Sequence, residues 1–185
     1  MIGMRDFDEA DAPALVSWVD GPAALVMWSG PTGFTWPLDR AQLARYAAKA
    51  GPGLRIWTFI DEEHPAEAVA HASLTVDPQG RTARLGRVLV DPAQRGRGIG
   101  AALVGAVQRV AFDDMGVHRL GLGVFAHNST AVALYERLGF VREGLSREVV
   151  EVDGAWWSSI EMSMLDREWH GRGPGPGATT STPGR

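Results

Sequence analysis

The sequence predicts a single α/β domain, built on a mixed, mostly antiparallel sheet of about seven strands with helices on both faces. One observation is a meander of three strand-like segments, at 54–61, 67–76 and 82–90. A second is the glycine-rich turn and helix that follow over 91–110, and a third is a long hairpin over 141–165. Antiparallel strands are therefore expected before and after a strand–turn–helix unit.

The elements before the meander are shorter. Residues 2–5 are predicted as a strand, and Asp8 or Asp11 as the cap of the helix that follows. Gly21-Pro22 is predicted to end that helix, and residues 25–37 mix Pro and Gly with aromatic side chains, so we expect an irregular segment there. Asp39 is predicted to cap a further helix, which ends before the meander begins.

Two elements and a tail complete the chain. Residues 119–126 are predicted as a strand, Asn128 opens a helix, and Gly139 has the position of a helix end. Alanine is the only apolar side chain in residues 170–185, which cannot bury much core surface. We therefore expect residues 1–169 to form the domain and residues 170–185 a disordered tail.

Composition excludes several classes of protein. Of the 185 residues, 45% are apolar and 22% charged, and the net charge of −4 gives no support for a nucleic-acid-binding surface. The chain has no cysteine, which excludes disulfides, thiolate metal sites and a cysteine nucleophile. No apolar run reaches about 18 residues and no signal-like N-terminus is present, so we expect a cytoplasmic protein that binds no membrane. Because His118 and His127 lack metal-ligand spacing, we also expect no metal.

The glycine-rich turn is the strongest signal for a binding site. Glycines at 96, 98 and 100 let the backbone curl tightly, and the helix that follows has a partial positive charge at its N-terminus. Arg95 and Arg97 add charged hydrogen-bond donors. These residues predict an anion cradle for a phosphate or pyrophosphate group.

A dinucleotide-binding turn is one alternative. Gly96, Gly98 and Ala101 satisfy the relaxed dinucleotide pattern of doubly wound oxidoreductases. The turn, however, follows a meander instead of the first strand of a βαβ repeat. Asp113 and Asp114, at the expected distance for the ribose contact, fall at the end of a helix. Such an oxidoreductase is therefore a distant alternative.

The full stretch matches another pattern. Arg95-Gly96-Arg97-Gly98-Ile99-Gly100 has the Q/R-x-x-G-x-G form of an acetyl-CoA loop, and Asn128 with Tyr135-Glu136-Arg137-Leu138-Gly139-Phe140 follows at the usual distance. Over residues 4–165 the chain resembles the GNAT superfamily of N-acetyltransferases. Its hairpin, with Trp156-Trp157 and Met162-Ser163-Met164-Leu165, resembles the branch that acetylates ribosomal-protein N-termini and small amines.

The resemblance implies a role for each matching residue. Backbone groups of Val88, Leu89 and Val90 would face the pantetheine arm, between two strands that splay apart. The turn would hold the pyrophosphate, Asn128 would meet the cofactor at the end of the second strand, and Tyr135 would point toward the sulfur. The implied acetyl-CoA-binding residues are Val88, Leu89, Val90, Arg95, Gly96, Arg97, Gly98, Ile99, Gly100, Ala101, Asn128 and Tyr135.

Amine acetylation explains why such groups are useful. The attacking amine must be neutral, although a lysine-like amine has a pKa of about 10.4. The N–H of Leu89 or of a neighbour is the candidate donor to the oxyanion. Tyr135 is the candidate general acid for the leaving thiolate. Alternatively, Tyr135 belongs to a buried helix stripe with Leu134 and Leu138.

The general base is harder to assign. The carboxylate that this superfamily often carries on the strand before the turn is absent, since Arg84 and Arg87 occupy that strand. His71, predicted on the polar face of a neighbouring strand, is a candidate proton relay or a hydrogen-bonded strand residue. Glu148 and Glu151 are predicted on opposite faces of the hairpin strand, so at most one faces inward. Proton loss through water needs no single base.

Tryptophans are candidates for the acceptor pocket. The resemblance places Trp28 and Trp36 at one end of the substrate cleft and Trp156 with Trp157 at the other; core packing is the alternative for each. The expected activity is acetyl transfer from acetyl-CoA to a primary amine, either a small molecule or a peptide N-terminus, by direct attack. A CoA-sensing module on the same fold is the alternative, and the resemblance also suggests a homodimer.

Overall fold

The computed structural model describes residues 2–77, 79 and 81–171. Its seven strands are β1 (Ile2–Asp6), β2 (Leu54–Asp61), β3 (His64–Val76), β4 (Thr82–Val90), β5 (Arg119–Phe125), β6 (Val141–Val152) and β7 (Ala155–Leu165). Its α-helices are α1 (Ala12–Trp18), α2 (Pro22–Ser29), α3 (Arg40–Ala47), α4 (Ile99–Arg109), α5 (Ser129–Arg137) and α6 (Asp166–His170). Of the predicted tail, residues 172–185 lie outside the described residues.

The strands form one sheet in the order β1-β2-β3-β4-β5-β7-β6. Every neighbouring pair is antiparallel except β4 and β5, which run parallel. This confirms the predicted mixed, mostly antiparallel sheet. It also excludes the doubly wound alternative, whose sheet is mostly parallel.

The two parallel strands separate soon after they meet. Pairing between β4 and β5 extends only over 82–84 and 119–121. A β-bulge then interrupts β4, where Arg87 adopts a left-handed φ of 49°. Bulges bend the strand that carries them. The carboxyl half of β4 therefore leaves β5, and a gap opens between them.

Helices cover both faces of the sheet, as predicted. The larger apolar core lies under α4 and α5 and includes Leu103, Val107 and Val132. A second core lies under α1, α2 and α3 on the opposite face, where Leu15 and Leu43 are fully buried. The second group of helices packs over β2, β3 and β4. On the same face β5 and β7 carry mostly glycine and polar residues, with the aromatic rings of Phe125 and Trp157 at one end. None of the helices in the described part of the chain is both long and apolar enough to cross a membrane.

Two expectations about local structure were wrong. Residues 25–29, predicted as irregular, belong to α2, and Pro22, predicted as part of a helix stop, begins that helix because a proline in the first turn loses no intrahelical hydrogen bond. Leu25 and Trp28, three residues apart, bury one side of that helix. The predicted polar face of β3 is buried as well, because α1–α3 cover His71 and Ser73.

Candidate active site

The gap between β4 and β5 exposes backbone groups of β4. The N–H of Asp91 donates to the carbonyl of Val69 at 2.9 Å, and such bonded pairs recur at every second residue of an antiparallel ladder. Leu89, opposite His71, is the next bonded pair, so its N–H is directed at β3. Val90, opposite Ala70, lies between these bonded pairs and directs its N–H toward the gap, whereas Val88 lies in the bulge and has no partner on β3. This register counts against Leu89 as the oxyanion donor and leaves its neighbours Val88 and Val90 as candidates.

The glycine-rich turn is open and uncapped. Gly96 and Gly98 have left-handed φ values of 79° and 80°, and no atom lies within 4 Å of where their Cβ atoms would be. Gly98 is the N-cap of α4 and supplies no side chain to the first-turn N–H groups. Arg97 donates to Gln94, while Arg95 is exposed. The cradle therefore offers free backbone donors to an anion.

Helix α5 lies against this cradle. A Cβ at Gly100 would lie 3.3 Å from Cδ2 of Leu134 and 3.8 Å from Cγ2 of Val90, so α4 and α5 approach closely here and a larger residue would require Leu134 to shift. Ile99 is buried and anchors the start of α4 in the core, just before Ala101. The contact brings α5 to the end of β4 where the gap is open.

Tyr135 follows Leu134 on α5. Its side chain is 7% exposed, and its ring packs edge-on against Phe140 at 5.8 Å between centroids. Burial raises the pKa of Tyr135 to about 12. The phenol is therefore neutral at physiological pH and can donate a proton.

Asn128 lies where β5 ends. Its Oδ1 accepts the N–H of Ala131 at 3.2 Å and so caps α5. Its Nδ2 lies 3.5 Å from the sulfur of Met27 on α2. The predicted cofactor contact of Asn128 stays a prediction; in the structure this residue starts α5 and meets the helical layer of the opposite face.

An aromatic cluster lies beside the β4 bulge. Arg87 stacks over the ring of Tyr46, with 4.8 Å from Cζ to the centroid, and over Phe34 at 5.6 Å. The Tyr46 hydroxyl and Nε2 of His71 lie 3.3 Å apart. Trp28, 6% exposed, stacks on Phe34 and donates its indole N–H to the carbonyl of Arg87 at 2.9 Å. Trp28 therefore stabilises the bulge through this hydrogen bond.

His71 has no exposed surface. Burial, reinforced by the Arg87 charge and opposed by Asp11, lowers the pKa of His71 to about 3. Its Nδ1 has no hydrogen-bond partner within the described residues. A neutral imidazole enclosed in this way counts against His71 as a proton relay and favours a packing role.

An ion pair that sequence reasoning missed lies where β4 and β5 separate. Arg84 Nη1 and Glu161 Oε2 are 2.8 Å apart, so the pair spans from β4 to β7 across β5. The pair passes over Gly123, where a Cβ would lie 2.6 Å from Arg84 Nη2. Only cross-strand register brings these residues together, and they are 77 positions apart in the chain.

Two tryptophans predicted at the acceptor pocket, Trp36 and Trp156, are exposed. Trp36, 46% exposed, lies in the segment between α2 and α3, two residues after Phe34 in the chain. Trp156, 58% exposed, alternates with Trp157 along β7, and it is Trp157 that shares a face with Glu161. The position of Trp156 counts against its predicted pocket role. It is Trp157 that contacts Phe125, with 5.1 Å between ring centroids.

The hairpin glutamates offer no base. A bulge in β6 after Ser146 breaks the alternation on which their opposite placement was predicted. Glu148 has a left-handed φ of 53°, and both Glu148 and Glu151 are exposed. Across the described ranges, no three His, Asp or Glu side chains are grouped to hold a metal ion.

The fold and the site together define a class of protein. A parallel strand pair that opens beside an uncapped helix N-terminus suits a long, phosphorylated ligand such as coenzyme A, with its phosphates on the cradle and its arm between the strands. The profile of the acetyltransferase (GNAT) family matches residues 23–140. The chain belongs to this family.

Individual relatives are similar over different lengths. The putative phosphinothricin acetyltransferase YwnH of Bacillus subtilis (strain 168) is 32% identical over 169 residues, 89% of this chain and 98% of that protein. The probable N-acetyltransferase YjcK of the same strain is 36% identical over 86 residues, so the match spans about half the length of each protein, 46% and 47%. A spermidine N-acetyltransferase from Vibrio cholerae, solved in complex with CoA and spermine, has the same fold, with a TM-score of 0.79 and 19% identity over 91% of this chain and 98% of that one.

Proposed function

We propose that this protein transfers an acetyl group from acetyl-CoA to a primary amine, by direct attack in a ternary complex. The observation that carries the proposal is the position of the uncapped cradle of Gly96 and Gly98 at the mouth of the β4–β5 gap. The acetyltransferase and N-acetyltransferase relatives support it. The cytoplasmic location, the homodimer and the domain limits stay predictions.

Acetyl-CoA supplies a thioester: a bond forms from the amine nitrogen to the acetyl carbon, the carbon–sulfur bond breaks, and the products are the acetylated amine and free CoA. The cradle N–H groups bind the pyrophosphate. The N–H of Val88 donates to the oxygen that gains charge. Tyr135 gives its proton to the leaving sulfur and regains one from solvent, which receives the proton that the amine loses.

The acceptor enters from the face that carries Arg84 and Glu161. On this face the helical layer of α1–α3 ends beside β4, and the polar surface of β5 and β7 begins. Glu161 is a carboxylate at the point where the gap opens, and it is a candidate to accept the amine proton through water. We therefore propose water-mediated proton loss without a base on β4.

Free-thiol release from acetyl-CoA across a panel of amines tests the proposal. We expect turnover with at least one amine, together with stabilisation of the protein by acetyl-CoA but not by NAD or NADP. Tight CoA binding without turnover on any amine would favour the alternative, a CoA-sensing module. Stabilisation by NAD alone would contradict both.

A further inference from the structure

Arg87 is held in place at its backbone. It occupies the β4 bulge with a φ of 49°, a conformation that costs energy for any residue but glycine. The indole of Trp28 fixes its carbonyl at 2.9 Å. This local geometry sets the direction of the side chain before any ligand binds.

Two aromatic rings hold the side chain as well. Phe34 and Tyr46 meet edge to face, with 5.5 Å between centroids and planes 85° apart, and the guanidinium lies over both. The hydroxyl of Tyr46 is in turn held by His71. Cation–π attraction explains why the charge lies here. Burial raises the pKa of Tyr46, and a side-chain interaction of Arg87 with the Tyr46 hydroxyl opposes that rise. Cation–π contact itself uses none of the in-plane N–H donors, and the Nε donor of Arg87 has no partner within the described residues.

Arg87 differs from the other half-buried arginines in having no counter-ion. Of the arginines in the described ranges, Arg5 and Arg119 are also half-buried, and each pairs with a carboxylate. Arg87 forms no ion pair within those ranges, and its Nε is buried without a hydrogen-bond partner. A partly desolvated cation with unused donors is an anion-binding group.

The position of Arg87 sets the side from which an anion can reach it. Arg87 precedes Val88, the proposed donor to the thioester oxygen. Its guanidinium lies over Phe34 and Tyr46 in the helical layer, beside the face from which the acceptor is proposed to enter. An acceptor that carries an anion can therefore bring it to the guanidinium from the same face as its amine. A polyamine, with cations along its length, would be repelled.

We propose that Arg87 recognises the acceptor, and that the acceptor is an amine that also carries a carboxylate, as in an amino acid. This inference rests on the proposed acetyltransferase function. It assigns the specificity of the reaction to one residue of β4, held by Phe34 and Tyr46.

The test compares amino acids with their own carboxamides, which differ only in the charged group. Wild-type protein is expected to favour the acid over the amide by about 10- to 100-fold in kcat/KM, as for loss of a charge-assisted hydrogen bond. Arg87→Met keeps the stem over the rings and is expected to bring that ratio to within about threefold of one. Arg45→Met, which removes an exposed arginine from α3, is the matched control and should leave the ratio unchanged.

Equal or better turnover of amides or of spermidine by the wild type would overturn the proposal, as would a ratio that survives Arg87→Met. If Arg87→Met does not fold, Arg87→Lys serves instead; it keeps the charge without the planar fork and is expected to lower the ratio at least about threefold. If no amine is acetylated, the proposed acetyltransferase function fails on its own. Calorimetric titration of the CoA-bound protein with the same amino acids then tests whether Arg87 binds the carboxylate. Binding by wild type that Arg87→Met abolishes supports the assignment, and no binding refutes it.

Discussion

Burial gives the tyrosine on α5 a single protonation state over the working range of pH. The ring of Tyr135 packs on Phe140 in the larger core, and desolvation of the phenolate raises its pKa to about 12. Such a phenol is a proton donor and cannot be a base near neutrality. Its neighbour Leu134 sits against Gly100, so the same helical turn contacts both the cradle and the core.

Tyr135→Phe removes one oxygen and keeps the packing. We expect kcat to fall by about 100-fold, the low end for loss of a general acid, with the Kd for acetyl-CoA nearly unchanged. Because the pKa is near 12, the wild-type rate should show no alkaline loss from this group below about pH 10. Steady-state kinetics and calorimetry measure both quantities, and Arg137→Gln on the exposed side of α5 is the control. An unchanged kcat would remove Tyr135 from the proposed role.

The bulge at Arg87 changes which face of the sheet this side chain occupies, and the sequence does not predict that change. Strict alternation along β4 would place Arg84 and Arg87 on opposite faces of the sheet. The bulge adds one residue between the pairs Gly86–Ser73 and Leu89–His71, and this brings both arginines to the same face. Nothing in the local sequence marks a bulge formed by a non-glycine residue.

At the scale of elements, the strand β4, the turn and α4 act as one unit. The bulge turns β4 away from β5, and left-handed glycines then reverse the chain into α4. The close contact at Gly100 fixes α5 against this unit. Gly96 and Gly98 therefore supply left-handed backbone conformations, whereas Gly100 lies at the close contact between α4 and α5.

Gly98→Val tests the cradle. Valine at a left-handed position is strained by about 1–2 kcal/mol, and its side chain would fill the open space where the phosphates are proposed to bind. We expect a loss of about 100-fold in acetyl-CoA affinity, equivalent to one backbone hydrogen bond to a charged group. Calorimetric titration with acetyl-CoA measures this loss.

Gly105→Ala is the control on the same helix. Its Cβ would meet no atom within 4 Å, so alanine should raise the free energy of unfolding by about 0.5–1 kcal/mol and leave acetyl-CoA binding intact. Retained binding in Gly98→Val would contradict the pyrophosphate assignment. Equal losses in both variants would show that α4 as a whole, and not the cradle, had been disturbed.

At the scale of the whole molecule, the helical layer over β2–β4 determines the charge state of His71. Its imidazole is buried between the sheet and α1–α3, and burial lowers its pKa to about 3. The unfolded chain binds a proton at this histidine near pH 6.5, and the folded chain does not. The contribution of neutral His71 to the free energy of unfolding is therefore fully present above about pH 6.5, and it is lost as the pH falls toward 3.

We expect the free energy of unfolding to fall by about 1.4 kcal/mol per pH unit between about pH 6 and 4.5 from this residue alone. Denaturant titrations at several pH values measure the slope, and His71→Gln should remove it. This pH range lies above the titration of Asp11. Burial acts to raise the pKa of Asp11, but hydrogen bonds from Arg5 and Thr58 outweigh it and lower that pKa. A slope that persists in His71→Gln would assign it to other groups.

The sequence by itself determined the fold class, the seven strands, and the glycine-rich turn before α4 with Asn128 and Tyr135 downstream, because these depend on local periodicity and on glycines at fixed spacing. Only the tertiary structure decided which strands diverge, that β3 is buried on both faces, and that Arg87, Tyr46 and His71 meet. Those features follow from a bulge, from cross-strand register and from helices packed over the sheet. Each of them joins residues far apart in the chain, so no local pattern records them.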